Sequence, residues 1–178
     1  MADSPRSPRT PDLAALRLLV LDVDGVLTDG TVILGAGEEE LKAFHTRDGA
    51  GLALWRDAGL ATTFLTGRSG EAVRRRAREL RVPRIWEGVR DKGAAFDEIL
   101  AHFGVQAREV AVMGDDVPDL RVLERAGFSA APSDCAADVA GRVDLVVPSA
   151  GGRGAVRDLV EHLLRATGRW DALLETIR

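Results

Sequence analysis

Residues 19–30 read "LVLDVDGVLTDG", and this stretch decides the fold. It closes a continuous apolar run, "LRLLVLD" (16–22), of the kind that forms a strand buried on both faces. It then places Asp22, Asp24 and Asp29 within eight positions. Unpaired carboxylates repel each other and are costly beside a core, so the loop is expected to collect a positive charge.

Outward from that stretch the chain alternates. "TVILG" and "ELKAFH" flank "AGEE" and read as a protruding β-hairpin. Strands are expected over 60–67, 84–88 and 109–115, and in "FSAAP" and "VDLVVP". Helices are expected over 48–59, with Asp48 as the N-cap and Gly59 as the stop, and over 69–82, 91–104, 117–127 and 154–168. A short helix near Cys135–Ala140 and a last one in "RWDALLETIR" complete the pattern. Strands and helices alternating through short loops predict an α/β fold, a parallel sheet flanked by helices on both faces. No linker or internal repeat divides the chain, so a single domain is expected over 13–178. The Pro-, Ser- and Arg-rich residues 1–12 read as a disordered tail.

Composition narrows the function classes. The 178 residues are 46% hydrophobic and 29% charged, as in an ordinary soluble domain. The net charge of −4 argues against a nucleic-acid partner. No apolar run reaches membrane-spanning length, so no membrane partner is expected, and residues 1–12 lack the apolar core of a secretory signal. With Cys135 as the one cysteine, no internal disulfide can form, which fits a cytoplasmic protein.

In a sheet of this kind ligands bind beyond the carboxyl ends of the strands. The polar residues following the apolar strands are Asp22 and Asp24, then Thr66, then Asp115 and Asp116, and all are expected at one crevice. Their chemistry suits a phosphate ester. Asp22, ionised at neutral pH, could attack phosphorus, but carboxylate and phosphate repel, so a divalent cation is needed between them. Mg²⁺ suits an oxygen ligand set in which Asp22 and Asp115 take part. Asp24 could protonate the leaving alkoxide and then activate water. Thr66 and the backbone at Gly67 offer donors to phosphate oxygens, and Lys92 at a helix start offers a positive charge.

"DVDGVLTDG", "LTGR", Lys92 in "RDKG" and "MGDDVPD" resemble, in order, the four motifs of the haloacid-dehalogenase-like (HAD) phosphatases, which have a Rossmann-like fold, and the resemblance covers 16–167. It implies that Asp22 is the nucleophile and Asp24 the acid/base. It also implies that Mg²⁺ is held by Asp22, the Asp24 backbone carbonyl and Asp115, and that Asp116 and Asp119 orient water on the metal or hold Lys92. The intervals between motifs leave no room for a cap domain. "DVDGVLTDGTVILGAGEEELKAFHTRDGAG" and "GGRGAVRDLVEHLL" resemble the capless 3-deoxy-D-manno-octulosonate (Kdo) 8-phosphate phosphatases of lipopolysaccharide synthesis. That resemblance implies a homotetramer in which a neighbouring subunit covers each site, a sugar-acid phosphate substrate, and substrate contacts from Arg68 and Arg76. Helical geometry accepts Arg75 almost as readily as Arg76. Arg153 would lie in a tail approaching a neighbour's site. His45, where Asn is usual in that group, and Leu120, where an aromatic is frequent, depart from the pattern and bear on sugar selectivity.

Other readings stand beside these. An EF-hand loop would need ligands at Val26 and Ile33, so it fails. Asp29 reads as a turn residue, Thr66 alone could cap a helix, and Lys92 alone could be a solvated lysine. Cys135, Trp55 and Trp86 read as packing residues, while His45, His102 and His162 are too scattered for a metal cluster. A nononate 9-phosphate substrate, or a non-enzymatic tetramerising domain of the same fold, are the rival functions.

Overall fold

The computed structural model describes residues 10–37 and 39–177. Of the tail expected over 1–12, residues 1–9 lie outside the described residues. Asp12 is placed, and its carboxylate accepts the Ala14 N–H at 3.2 Å to cap a 3-10 turn over Leu13–Ala15.

Six strands form one parallel sheet: β1 (Leu18–Leu21), β4 (Ala61–Leu65), β5 (Ile85–Trp86), β6 (Val110–Met113), β7 (Phe128–Ala131) and β8 (Leu145–Val146), in the order β5-β4-β1-β6-β7-β8. Leu18 pairs with Ala61 on one side and Val110 on the other, so β1 is central. Its side chains alternate between two cores. Leu19 and Leu21 join Trp55, Phe64, Met113, Leu159 and Leu163, while Leu18 and Val20 join Phe96, Ile99, Val112 and Leu123. This is the burial on both faces that the aliphatic run predicts.

Helices α1 (Thr46–Asp57), α2 (Glu71–Glu79), α6 (Ala155–Ala166) and α7 (Trp170–Ile177) contribute to the first core. Helices α3 (Lys92–Phe103), α4 (Leu120–Leu123) and α5 (Ala137–Ala140) contribute to the second. Helices α1 and α6 meet closely, because Gly51 carries no Cβ and one built there would lie 3.1 Å from Arg157 Cα. Trp55 and Trp86 are buried packing residues, and half-buried Cys135 packs on the second core.

Several expected elements differ in extent. The hairpin strands β2 (Ile33–Leu34) and β3 (Glu40–Leu41) are two residues each and form a separate sheet. The helix expected over 117–127 is a 3-10 turn, Val117–Asp119, followed by the short α4. Pro118 and the reciprocal caps of Asp116 and Asp119 favour that tight turn. Asp48 does not cap α1. His45 does, its Nδ1 accepting the Arg47 N–H at 3.3 Å. Asp48 instead lies buried under α6, where it accepts the N–H groups of Gly154 (3.3 Å) and Arg157 (3.0 Å). Among the described residues no helix is long and apolar enough to cross a membrane.

Candidate active site

The carboxyl ends of β1, β4 and β6 meet the start of α3, and four polar residues are brought together there. Asp22 follows β1, and its N–H donates to Met113 O at 3.0 Å, tying the loop to β6. Thr66 follows β4 and is buried, with its N–H on Trp86 O at 2.9 Å. Its hydroxyl accepts the Arg68 N–H at 3.2 Å, and α2 starts only at Glu71, so Thr66 is not the cap of that helix. Lys92 opens α3, whose first turn is capped by Asp91. Asp115 follows β6. Gly25 is required beside it, since its φ is +90° and a Cβ there would fall 2.1 Å from Asp115 Oδ2.

The electrostatics are those of an acid cluster with one cation. Carboxylate oxygens of Asp22, Asp115 and Asp119 lie within 4.8 Å of one another. Lys92 Nζ lies 3.0 Å from Asp22 and donates to Asp119 Oδ1 at 2.6 Å. Asp119 Oδ2 accepts the N–H groups of Asp115 (3.2 Å) and Asp116 (3.3 Å), so this buried side chain organises the loop as well as holding the lysine. Asp116 is exposed and bonds the Val117 N–H at 2.8 Å. Burial, then the charge of Asp119, push the Asp22 carboxyl up to about 6 against the opposing pull of Lys92. Burial, then Asp22 and Asp119, push Asp115 up to about 7. Burial opposes the Lys92 ammonium, but Asp22 and Asp119 leave its pKa raised. Asp115 Oδ1 is buried with no hydrogen-bond partner among the described residues. Crowded carboxylates, an orphaned buried oxygen and a single lysine fit a divalent cation.

Beside the cluster is a cleft of about 570 Å³, which Asp22, Asp24, Thr66, Gly67, Arg68 and Lys92 line together with Arg90 and Arg121. Arg68 hydrogen-bonds to Glu40 of the hairpin. Arg76 is not brought to the cleft. Its guanidinium donates to His45 O at 3.2 Å, pairs with Glu79 at 2.9 Å and lies over the Phe44 ring. Asp29 is a turn residue, accepting the Thr31 N–H at 3.1 Å and pairing with Arg153 at 3.3 Å. The "GGRG" segment (151–154) leads into α6. A Cβ on Gly151 would fall 1.9 Å from Gly25 O, so the segment packs on the acidic loop. Leu120 is half-buried at the start of α4.

Sequence reasoning missed Lys42. Its side chain is 2% exposed and its ammonium bonds Asp24 Oδ1 and, at 2.7 Å, Glu40. Leu41 beside it is 57% exposed. No signal in the sequence marks it, because the burial of the charge beside an exposed apolar residue arises only when the hairpin meets the Asp24 loop. Burial works against the ammonium, but its bonds to Asp24 and Glu40 leave the pKa raised.

An acid cluster at the ends of adjacent parallel strands, with a lysine from the following helix, defines a haloacid dehalogenase-like hydrolase, and residues 84–158 match the family model of that description. The chain is 40% identical over 156 residues, 88% of its length, to the 3-deoxy-D-manno-octulosonate 8-phosphate phosphatase KdsC of Escherichia coli strain K12, covering 83% of that protein. A crystal structure of the Moraxella catarrhalis phosphatase of the same name, in complex with magnesium ion, phosphate ion and KDO, superposes with a TM-score of 0.88 at 34% identity, covering 93% of this chain and 95% of that one. The cobalt-bound form of the Haemophilus influenzae enzyme gives 0.85 at 36% identity, covering 88% and 91%. The chain belongs to the family of 3-deoxy-D-manno-octulosonate 8-phosphate phosphatases.

Proposed function

We propose that this chain is a Mg²⁺-dependent phosphatase that hydrolyses a sugar-acid phosphate monoester, 3-deoxy-D-manno-octulosonate 8-phosphate, through an aspartyl-phosphate on Asp22. The supporting observation is one cleft lined by Asp22, Asp24, Thr66 and Lys92, beside the Asp115 carboxylate, in a chain 40% identical to an enzyme named for that activity. Asp22, Asp115 and the Asp24 backbone carbonyl would hold the cation, with Asp119 alongside. When bound, Mg²⁺ supplies charge neutralisation that lets a carboxylate approach a phosphate.

The chain's own residues do the rest. Thr66 and the backbone at Gly67 hold the phosphate oxygens, and Lys92 stabilises the charge that gathers on them. Asp22 attacks phosphorus as Asp24 gives its proton to the leaving sugar oxygen. Asp24 then takes a proton from the water that attacks the aspartyl-phosphate, and Asp22 is released. Asp116 and Asp119 keep the loop and Lys92 in place. Arg68, which lines the cleft, would pair with the phosphate or with the sugar carboxylate. Arg76 stands apart from the cleft within one subunit.

We further infer one catalytic domain over 13–178, a cytoplasmic location, and a homotetramer assembled through the hairpin. Ile33 (45%), Leu34 (74%) and Leu41 (57%) are exposed there, an apolar surface that calls for a partner, and a neighbour seated on it could cover the open cleft. Light scattering should give four times the monomer mass, and Leu34→Lys should lower it.

The deciding experiment is phosphate release from Kdo 8-phosphate and from a nononate 9-phosphate, each with Mg²⁺ and with EDTA. Mg²⁺-dependent preference for the first is expected. Preference for the second would move the substrate and keep the chemistry. No release from either would overturn the reading in favour of a non-enzymatic domain.

A further inference from the structure

Asp24 has two oxygens with different surroundings. Oδ1 bonds the Lys42 ammonium, while Oδ2 is buried with no partner among the described residues. An acid/base needs its carboxylate held still against the reacting atoms. Lys42 is placed for that task. It comes from the hairpin side, directly after β3, and is not among the residues lining the cleft that Asp24 faces. Its ammonium also bonds Glu40 Oε1 at 2.7 Å, and Glu40 Oε2 bonds Arg68. The result is a chain of alternating charges, Asp24, Lys42, Glu40 and Arg68. The other lysine of the site, Lys92, serves Asp22 and Asp119. A lysine buried this deeply costs free energy unless carboxylates pair with it, so its place between two of them is tightly determined.

We propose that Lys42 is a positioning residue for catalysis: through its bond to Oδ1 it holds the Asp24 carboxylate in place for proton exchange. The inference rests on the proposed role of Asp24. In the first step the Asp22 oxygen–phosphorus bond forms, the phosphorus–sugar oxygen bond breaks, and the Asp24 carboxyl proton goes to the sugar oxygen. In the second, water adds to phosphorus, its proton returns to the Asp24 carboxylate, and the Asp22–phosphorus bond breaks.

Leaving-group dependence tests this. A sugar alkoxide must be protonated as it departs, whereas p-nitrophenolate leaves without a proton. The value of kcat/KM reports steps up to that departure, so it isolates the acid role. It is to be measured with Mg²⁺ for Kdo 8-phosphate and p-nitrophenyl phosphate on wild type, Asp24→Asn, Lys42→Met and the double variant. Lys42→Met should lose about 10–100-fold on the sugar ester and less than about threefold on the aryl ester. The double variant should match Asp24→Asn alone, since Lys42 acts through Asp24. Lys42→Arg, which keeps the charge, should recover part of the loss with KM unchanged. Equal losses on both esters, or losses that multiply in the double variant, would overturn the proposal and leave Lys42 as a brace for the hairpin. Should Lys42→Met not fold, Lys42→Arg carries the same comparison, with a loss confined to the sugar ester as the supporting result. An Asp24→Asn enzyme that discriminates between the esters no more than wild type would overturn the role of Asp24 itself, and the proposal with it.

Discussion

Asp48 and the pair Asp22 and Asp115 are buried carboxylates with opposite surroundings. Asp48, 1% exposed, accepts two backbone N–H groups at the start of α6. Burial raises its pKa and those two bonds pull back against the rise. Each of its two oxygens is engaged in joining α1 to α6. Asp22 and Asp115 face each other and Asp119, with one lysine among them and Asp115 Oδ1 left without a partner. The same residue type serves as a fastener where the fold satisfies it. Where the fold withholds satisfaction, it is left able to bind a cation and react.

The largest effect should come from removing the reactive member. Asp22→Asn should lower kcat by at least about 10⁴-fold, while the melting temperature holds or rises because a like charge is gone. A variant with wild-type turnover would break the contrast at its centre. Next comes the cation. EDTA should abolish turnover, and Mg²⁺ at about 100 times its Kd should add ~2.7 kcal/mol of stability to wild type and far less to Asp115→Asn. Asp48→Ala should act the other way round. It leaves two N–H groups buried and unpaired, so stability should fall by about 2–4 kcal/mol in urea titrations, with kcat of the folded fraction close to wild type. Asp48→Asn, which can still accept, should cost less.

The pH dependence sharpens the comparison further. Asp22 and Asp115 have folded pKa values raised from 3.8 to about 6 and about 7. Between 3.8 and about 7 the folded state therefore holds protons that the unfolded chain has released. The metal-free protein should gain stability from this pair as pH falls through that window and lose it as pH rises. The gain is read against Asp22→Asn/Asp115→Asn, which shares every other carboxylate and should lack it. The stabilisation by Mg²⁺ should correspondingly be greater at pH 8 than at pH 5. The smallest effect is expected at the surface. Arg153→Ala breaks a 3.3 Å pair with Asp29 in which both side chains are well exposed, and should leave the urea midpoint unchanged.

The sheet, its parallel sense and the motif residues at its carboxyl edge were legible because each depends on local pattern. Aliphatic runs such as 16–22 mark buried strands, and polar residues directly after them mark the ligand edge. What stayed hidden depends on contacts distant in sequence. Asp48 sits where a helix cap belongs, and only the docking of α6 more than a hundred residues later shows that it serves another helix. Lys42 in "ELKAF" looks like any lysine on a hairpin until the loop carrying Asp24 folds against it. The family resemblance implies a substrate contact from Arg76, yet Phe44 and the carbonyl of His45 hold it elsewhere within one subunit. The turn at Val117–Asp119 replaced a helix because Asp119 is used to hold Lys92 and two loop amides.

The central place of β1 has a consequence for biosynthesis. Leu18 is bonded on one side to Ala61 and on the other to Val110, so the strand leading to Asp22 is made early and completed late. At about 5–20 residues per second, synthesis of the intervening stretch takes on the order of 5–20 s. During that time a nascent chain can pair β1 with β4 but leaves its other edge, "LLVL", open to any aliphatic strand nearby. The acid cluster cannot assemble in that interval either, since Asp115 has yet to emerge. Cation binding can therefore reward only the finished chain, and the ribosome-bound intermediate must be protected by speed or by a chaperone.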